Sequence, residues 1–217
     1  MIKLLTLCTA ILFAAIPAKA ELNIQEVTSE SGIKAWLLNE PSIPMISLNI
    51  GFKGASTTEP DDKLGATYLM AGLLEEGAGN MDATAFKRAA EGLATSFGFD
   101  SSRERISITA EVLTKNRDAS VALLKTALTQ PTFNDTAFER TKAQVLSIIA
   151  RNQSDPEEIA SSTFNALAFA GHPYARPYRG TTESVSALTQ NDLRNAHTRT
   201  TSRGRSLVGA GGDTPAG

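Results

Sequence analysis

Strand-like and helix-like periodicities are segregated along this chain, and the segregation limits the fold more than any single motif does. Residues 22–27 alternate, Ser29-Glu30-Ser31-Gly32 is turn chemistry, and residues 33–38 resume the alternation, so the two segments predict a hairpin. Pro41 and Pro44 punctuate a loop before a second alternating run, which places Ile46, Leu48, Ile50 and Phe52 on one face. Leu64, Tyr68, Leu69, Leu73 and Leu74 then recur at helical spacing up to Gly77-Ala78-Gly79-Asn80. Asp82 is placed to cap a second helix with Phe86, Ala89, Ala90 and Leu93 inward. Two further strands are predicted over residues 97–100 and 105–113. Beyond them the pattern is mostly helical, over residues 117–128 and over 135–151 with Phe138, Val145, Ile148 and Ile149 inward. Asp155-Pro156-Glu157-Glu158 opens another helix, with Asp155 as N-cap, Pro156 in the first turn and Glu158 reaching back. Thr189-Gln190-Asn191-Asp192 is a weaker start of the same kind. Strands followed by helices, rather than strands alternating with them, predict an α+β domain with an antiparallel-rich sheet.

The N-terminus follows a different logic. Met1-Ile2-Lys3 precedes an apolar run over residues 4–16, and Ala18-Lys19-Ala20 follows. A basic start, a short apolar stretch and an Ala-x-Ala end predict a signal peptide cut after Ala20 and export to the periplasm. The run is too short to cross a bilayer, and nothing after Glu21 is apolar enough to do so, so no stable membrane anchor is expected. Removing 20 of the 217 residues leaves 197, enough for one domain with a real core. Lys3 and Lys19 leave too, so 19 basic residues face 23 acidic ones, a net charge of −4. That balance argues against a nucleic-acid partner. The single cysteine, Cys8, also lies in the leader, which excludes disulfides, a thiol nucleophile and thiolate metal ligation from the mature chain.

A search for catalytic groups finds little. The two histidines, His172 and His197, form no His-x-x-x-His pair, and a metal site without cysteine normally draws most ligands from histidine. His172 reads as a packing or hydrogen-bonding loop residue, and His197 as a solvated residue on a helix surface. Glu75 and Glu76 would point about 100° apart on a helix and cannot share one site. There is no Gly-x-Ser-x-Gly elbow and no P-loop. The residues therefore predict no cofactor and no catalytic constellation.

Several segments together nevertheless resemble the N-terminal half of a pitrilysin/insulinase-family zinc peptidase. They are Ile33-Lys34-Ala35-Trp36-Leu37-Leu38-Asn39, Gly51-Phe52-Lys53-Gly54-Ala55, Lys63-Leu64-Gly65-Ala66, residues 139–156, Gly171-His172-Pro173-Tyr174-Ala175, and Gly180-Thr181-Thr182-Glu183-Ser184. The resemblance implies a sheet covered by helices on one face. It also implies a site, because active members carry His-x-x-Glu-His on the first helix and a later Glu as third zinc ligand. Aligned on Gly65, the first ligand, general base and second ligand fall on Tyr68, Ala71 and Gly72, and the later Glu on Ile148. None of the four can do its family role. With the Leu73–Gly79 continuation, Leu-Leu-Glu-Glu-Gly-Ala-Gly, the chain resembles the non-catalytic subunits of two-subunit bacterial peptidases. The resemblance then implies a heterodimer with a zinc-bearing family subunit and peptide substrates reached through that complex. On this reading residues 1–20 are leader and 21–200 a peptidase-like domain. The tail, 201–217, is the truncated start of a second similar domain or an unstructured C-terminus, its strand from Ser206 an unpaired edge. Two alternatives stay open: an active hydrolase with an unrecognised site, and a truncated or frameshifted product without function of its own.

Overall fold

The computed structural model describes residues 23–214; the predicted leader, residues 1–20, lies outside them. Eight strands and seven helices occur among the described residues. The predicted hairpin is β1 (Ile24–Thr28) and β2 (Lys34–Asn39), antiparallel about Gly32, whose φ of 82° suits the turn. Its neighbours in the main sheet are β3 (Met45–Lys53), β6 (Ser96–Ser101), β7 (Arg105–Leu113) and β8 (Ser206–Gly212). The order is β1-β2-β8-β3-β7-β6, with β2 and β8 parallel and every other pair antiparallel. The fold is α+β with an antiparallel-rich sheet.

Register and alternation together build the core. Ile46 lies opposite Val112, Leu48 opposite Ala110, Ile50 opposite Ile108 and Phe52 opposite Ile106, so each apolar side chain meets another across the strands. The helices pack on this face, contributing Leu69, Met70, Val145, Ile149, Leu193 and Ala196 to one continuous cluster. On the opposite face Ser47 and Glu111 are hydrogen-bonded at 2.7 Å, while Trp36 is 57% exposed.

The helices are α1 (Ala66–Ala71), α2 (Ala83–Gly92), α3 (Arg117–Thr129), α4 (Asp135–Asn152), α5 (Pro156–Ala168), α6 (Thr182–Ala187) and α7 (Gln190–Thr200). A small hairpin, β4 (Gly77–Ala78) and β5 (Met81–Asp82), joins α1 to α2. Asp82 caps α2 by accepting from the Ala85 N–H, and Asp155 caps α5 by accepting from Glu157. The weaker of the two predicted starts is the fuller cap: Thr189 and Asp192 form a reciprocal capping box on α7.

Three expectations need correction. The first helix stops at Ala71 instead of running to Leu74, because Gly72 ends it in a series of turns that still bury Leu73 and Leu74. Glu158 does not close a capping box; its carboxylate lies 3.6 Å from Arg179 instead. The strand from Ser206 is no unpaired edge but an interior strand, bonded to β2 on one side and β3 on the other. A domain boundary at residue 200 would cut this sheet, since a strand's partners are set by tertiary contacts that periodicity does not encode.

Candidate functional site

The loop before α1 is held by charge and by close backbone packing. Glu59, only 4% exposed, accepts hydrogen bonds from the N–H groups of Gly65 at 2.9 Å and Thr67. Burial pushes its carboxyl above the ordinary value, while those bonds and the positive charge of Arg199 oppose the rise. Arg176 straps the same loop, donating to the Glu59 carbonyl (3.0 Å), the Asp61 carboxylate (2.7 Å) and the Thr57 carbonyl (3.0 Å). Gly65 has a φ of 89°, and a Cβ there would stand 2.5 Å from the Arg179 carbonyl oxygen. Gly180 answers it: its φ is 83°, and a Cβ would stand 2.5 Å from the Leu64 carbonyl oxygen. Ser184 Oγ donates to that carbonyl at 2.9 Å, so two of the recognised sequence segments meet here.

This crossing aims α1 at α4, where the four motif positions lie. Tyr68 is half-buried in α1, its ring edge-on to Tyr178 with 5.9 Å between centroids. Arg179 lies over both rings, at 5.7 Å from Tyr68 and 4.5 Å from Tyr178, and Arg103 covers Tyr178 at 5.2 Å. Ala71 is buried at 1% exposure. Gly72 has an ordinary helical φ of −66°, and a Cβ there would make plain van der Waals contact with Thr141 Cγ2 of α4 at 3.5 Å. Ile148 is half-buried, less so than its inward neighbours Val145 and Ile149. It lies seven residues beyond Thr141, nearly two full helical turns, and so belongs to the same stripe of α4.

A catalytic zinc needs three nitrogen, sulfur or carboxylate ligands and an open position. Facing side chains of Tyr, Ala, Gly and Ile present one phenol and otherwise only hydrogen or hydrocarbon, so the site does not fit the metal. Among the described residues no three His, Cys, Asp or Glu side chains converge as a metal would require.

The other candidates have ordinary roles. His172 accepts from the Tyr174 N–H at 3.2 Å and packs edge-on against its ring. His197 is not solvated on a helix surface as expected. It is half-buried in α7, its Nε2 2.8 Å from the Leu128 carbonyl and its ring against Phe133, and burial holds its pKa below the usual value. A helical pattern cannot reveal this, because Leu128 of α3 comes from 69 residues away. Glu75 and Glu76 follow α1 in a turn, and Glu76 pairs with Arg140 of α4.

Beside Tyr178 opens a groove of about 540 Å³ that the sequence did not reveal. Its walls are the end of α4 (Asn152), the outer side of α5 (Glu158, Ile159) and the loop carrying Tyr178 and Arg179, with Arg103 at one end. Arg103 and Arg179 have no pattern in sequence because they converge from segments 76 residues apart.

The comparisons with known proteins agree with this architecture. Residues 35–182 match the family described as Insulinase (Peptidase family M16). A relative from Helicobacter pylori, named non-peptidase homolog YmxG, is 30% identical over 79% of this chain and 40% of its own length. An uncharacterized zinc protease of Mycobacterium leprae is 24% identical over 90% of this chain and 44% of its own. The crystal structure of a peptidase M16 inactive domain from Pseudomonas fluorescens superposes with a TM-score of 0.85 at 24% identity, covering 89% of this chain and 47% of that one. The chain thus spans less than half the length of each of these relatives.

Proposed function

This chain belongs to the insulinase family, peptidase family M16, and we propose that it is a non-catalytic subunit that helps a zinc-bearing family member enclose and hold peptide substrates. The observation that carries the reading is the contrast within one site. The backbone crossing that aims α1 at α4 is intact, while the groups that would bind zinc and activate water are Tyr68, Ala71, Gly72 and Ile148. Without a metal ligand set there is no water to activate by that route. The chain is not a peptidase by itself. The name of the Helicobacter relative, a non-peptidase homolog, supports the same conclusion, and that of the mycobacterial relative, an uncharacterized zinc protease, supports a zinc-bearing family member as the partner. The leader over residues 1–20 supports action in the periplasm, after cleavage behind Ala20.

Two measurements test the proposal. Purified protein equilibrated with zinc and desalted should retain far less than one equivalent, and one equivalent retained at micromolar protein would refute the non-catalytic reading. Mixing with a periplasmic His-x-x-Glu-His subunit encoded beside it should give a co-eluting complex with greater peptidase activity than that subunit alone. Absence of both complex and activation would overturn the role as partner.

A further inference from the structure

None of the four motif positions lines the groove beside Tyr178. Its volume, about 540 Å³, is that of a site for a few peptide side chains. Two guanidinium groups, of Arg103 and Arg179, cover the Tyr178 ring at 5.2 and 4.5 Å, which immobilises them without neutralising them. The Nε atoms of both are buried and meet no hydrogen-bond acceptor. Among the described residues Arg103 forms no ion pair, and Arg179 has only Glu158, whose Oε1 stands 3.6 Å from Nη1, beyond hydrogen-bond distance. The Asn152 amide, oriented to donate to the Ile148 carbonyl at 3.2 Å, turns its oxygen to the same Nη1 at 3.2 Å. Glu158 is 45% exposed on the rim and free to swing out. Ile159, 46% exposed, supplies an apolar shelf beside it.

We infer that this groove is a recognition site for a carboxylate on an extended peptide, which displaces Glu158 and is gripped by Arg103 and Arg179 while an adjacent apolar side chain rests on Ile159. A planar guanidinium fixed on an aromatic ring is preorganised for a carboxylate fork, so little side-chain entropy remains to be lost on binding. Glu158 acts as the resident placeholder. This deepens the proposed peptide-holding role by naming the peptide class, and it is testable on this chain without any partner, so failure of the partner reading leaves it standing.

The probe is a fluorescein-labelled heptapeptide of serine and alanine with Leu-Glu at its centre and a C-terminal amide, titrated against the whole mature protein by anisotropy. A Leu-Gln version with an amide end removes the carboxylate, and a Leu-Gln version with a free C-terminus moves it. At least one carboxylate peptide should bind about tenfold or more tightly than the amide control, and which one does identifies side chain or terminus as the source. Arg103→Gln and Arg179→Gln should each erase that difference. Because Arg179→Gln also loosens the Tyr68–Tyr178 stack, Glu158→Gln is the second test: it leaves the stack alone and should tighten binding several-fold. Equal binding of all three peptides, no saturation of any by about 1 mM, or unchanged or weaker binding by Glu158→Gln overturns the inference.

Discussion

At the crossing of Leu64–Gly65 with Arg179–Gly180, main chain lies against main chain; seven residues after Gly65, where Gly72 faces Thr141, only side-chain space is shared with the facing helix. Both regions centre on glycine, yet the two kinds of glycine carry different obligations. Gly65 and Gly180 adopt left-handed φ values and leave no room for a methyl group, so no L side chain can replace them without moving a carbonyl. Gly72 is helical and has room. The side chain at position 72 can therefore change without disturbing the frame that aims α1. The frame cannot be altered so cheaply.

The sharpest way to break this comparison is to put alanine at each position. Gly65→Ala or Gly180→Ala should cost about 3 kcal/mol or more, combining left-handed strain with a 2.5 Å clash against backbone. Urea unfolding measures it, and a loss under 1 kcal/mol at both would show that the crossing is soft. Ile148→Glu comes next, at about 1–2 kcal/mol, since a carboxylate would replace a half-buried aliphatic chain with water still in reach. A cost above 4 kcal/mol would mean that the α4 stripe is sealed like the core.

The third test asks whether the helix layer around these two regions adds pH sensitivity of its own. Burial depresses the pKa of His197, so as pH falls the unfolded chain takes up its proton first. Stability from this group is complete above the ordinary histidine value of about 6.5 and is lost as pH falls below it through the depressed folded value, at a limiting slope of about 1.4 kcal/mol per pH unit. Comparing His197→Gln with the parent between pH 7.5 and 5.5 isolates the contribution; parallel profiles would remove His197 from the account. The smallest effect is expected for Gly72→Ala, within about 0.5 kcal/mol of the parent, because the methyl meets Thr141 at ordinary contact distance. A loss as large as that of Gly65→Ala would erase the distinction drawn above.

Much of the secondary structure was legible because it is decided within a few residues. The alternation from Ile46 to Phe52 specified a strand and its buried face, and Asp82, Asp155 and Thr189 announced their helices through side chains that cap the adjacent turn. The same local reading overextended α1, because Leu73 and Leu74 bury as well from turns as from helix. It also misread His197, whose partner Leu128 is remote in sequence. The motif positions come from alignment on Gly65, which carries no sign of the aromatic stack around Tyr68.

By itself, then, the sequence determined which segments are strands and helices, which faces they bury, and that Tyr68, Ala71, Gly72 and Ile148 offer one phenol and no imidazole or carboxylate. These properties reside in side-chain chemistry and in periodicities of two or 3.6 residues. Only the tertiary structure decided that β8 enters the middle of the sheet between β2 and β3, that Gly65 and Gly180 hold two loops at contact distance, and that Arg103 and Arg179 converge on Tyr178. Apart from the neighbours Arg179 and Tyr178, such contacts join residues more than 70 positions apart, and their partners are chosen by how whole layers pack, which no local pattern carries.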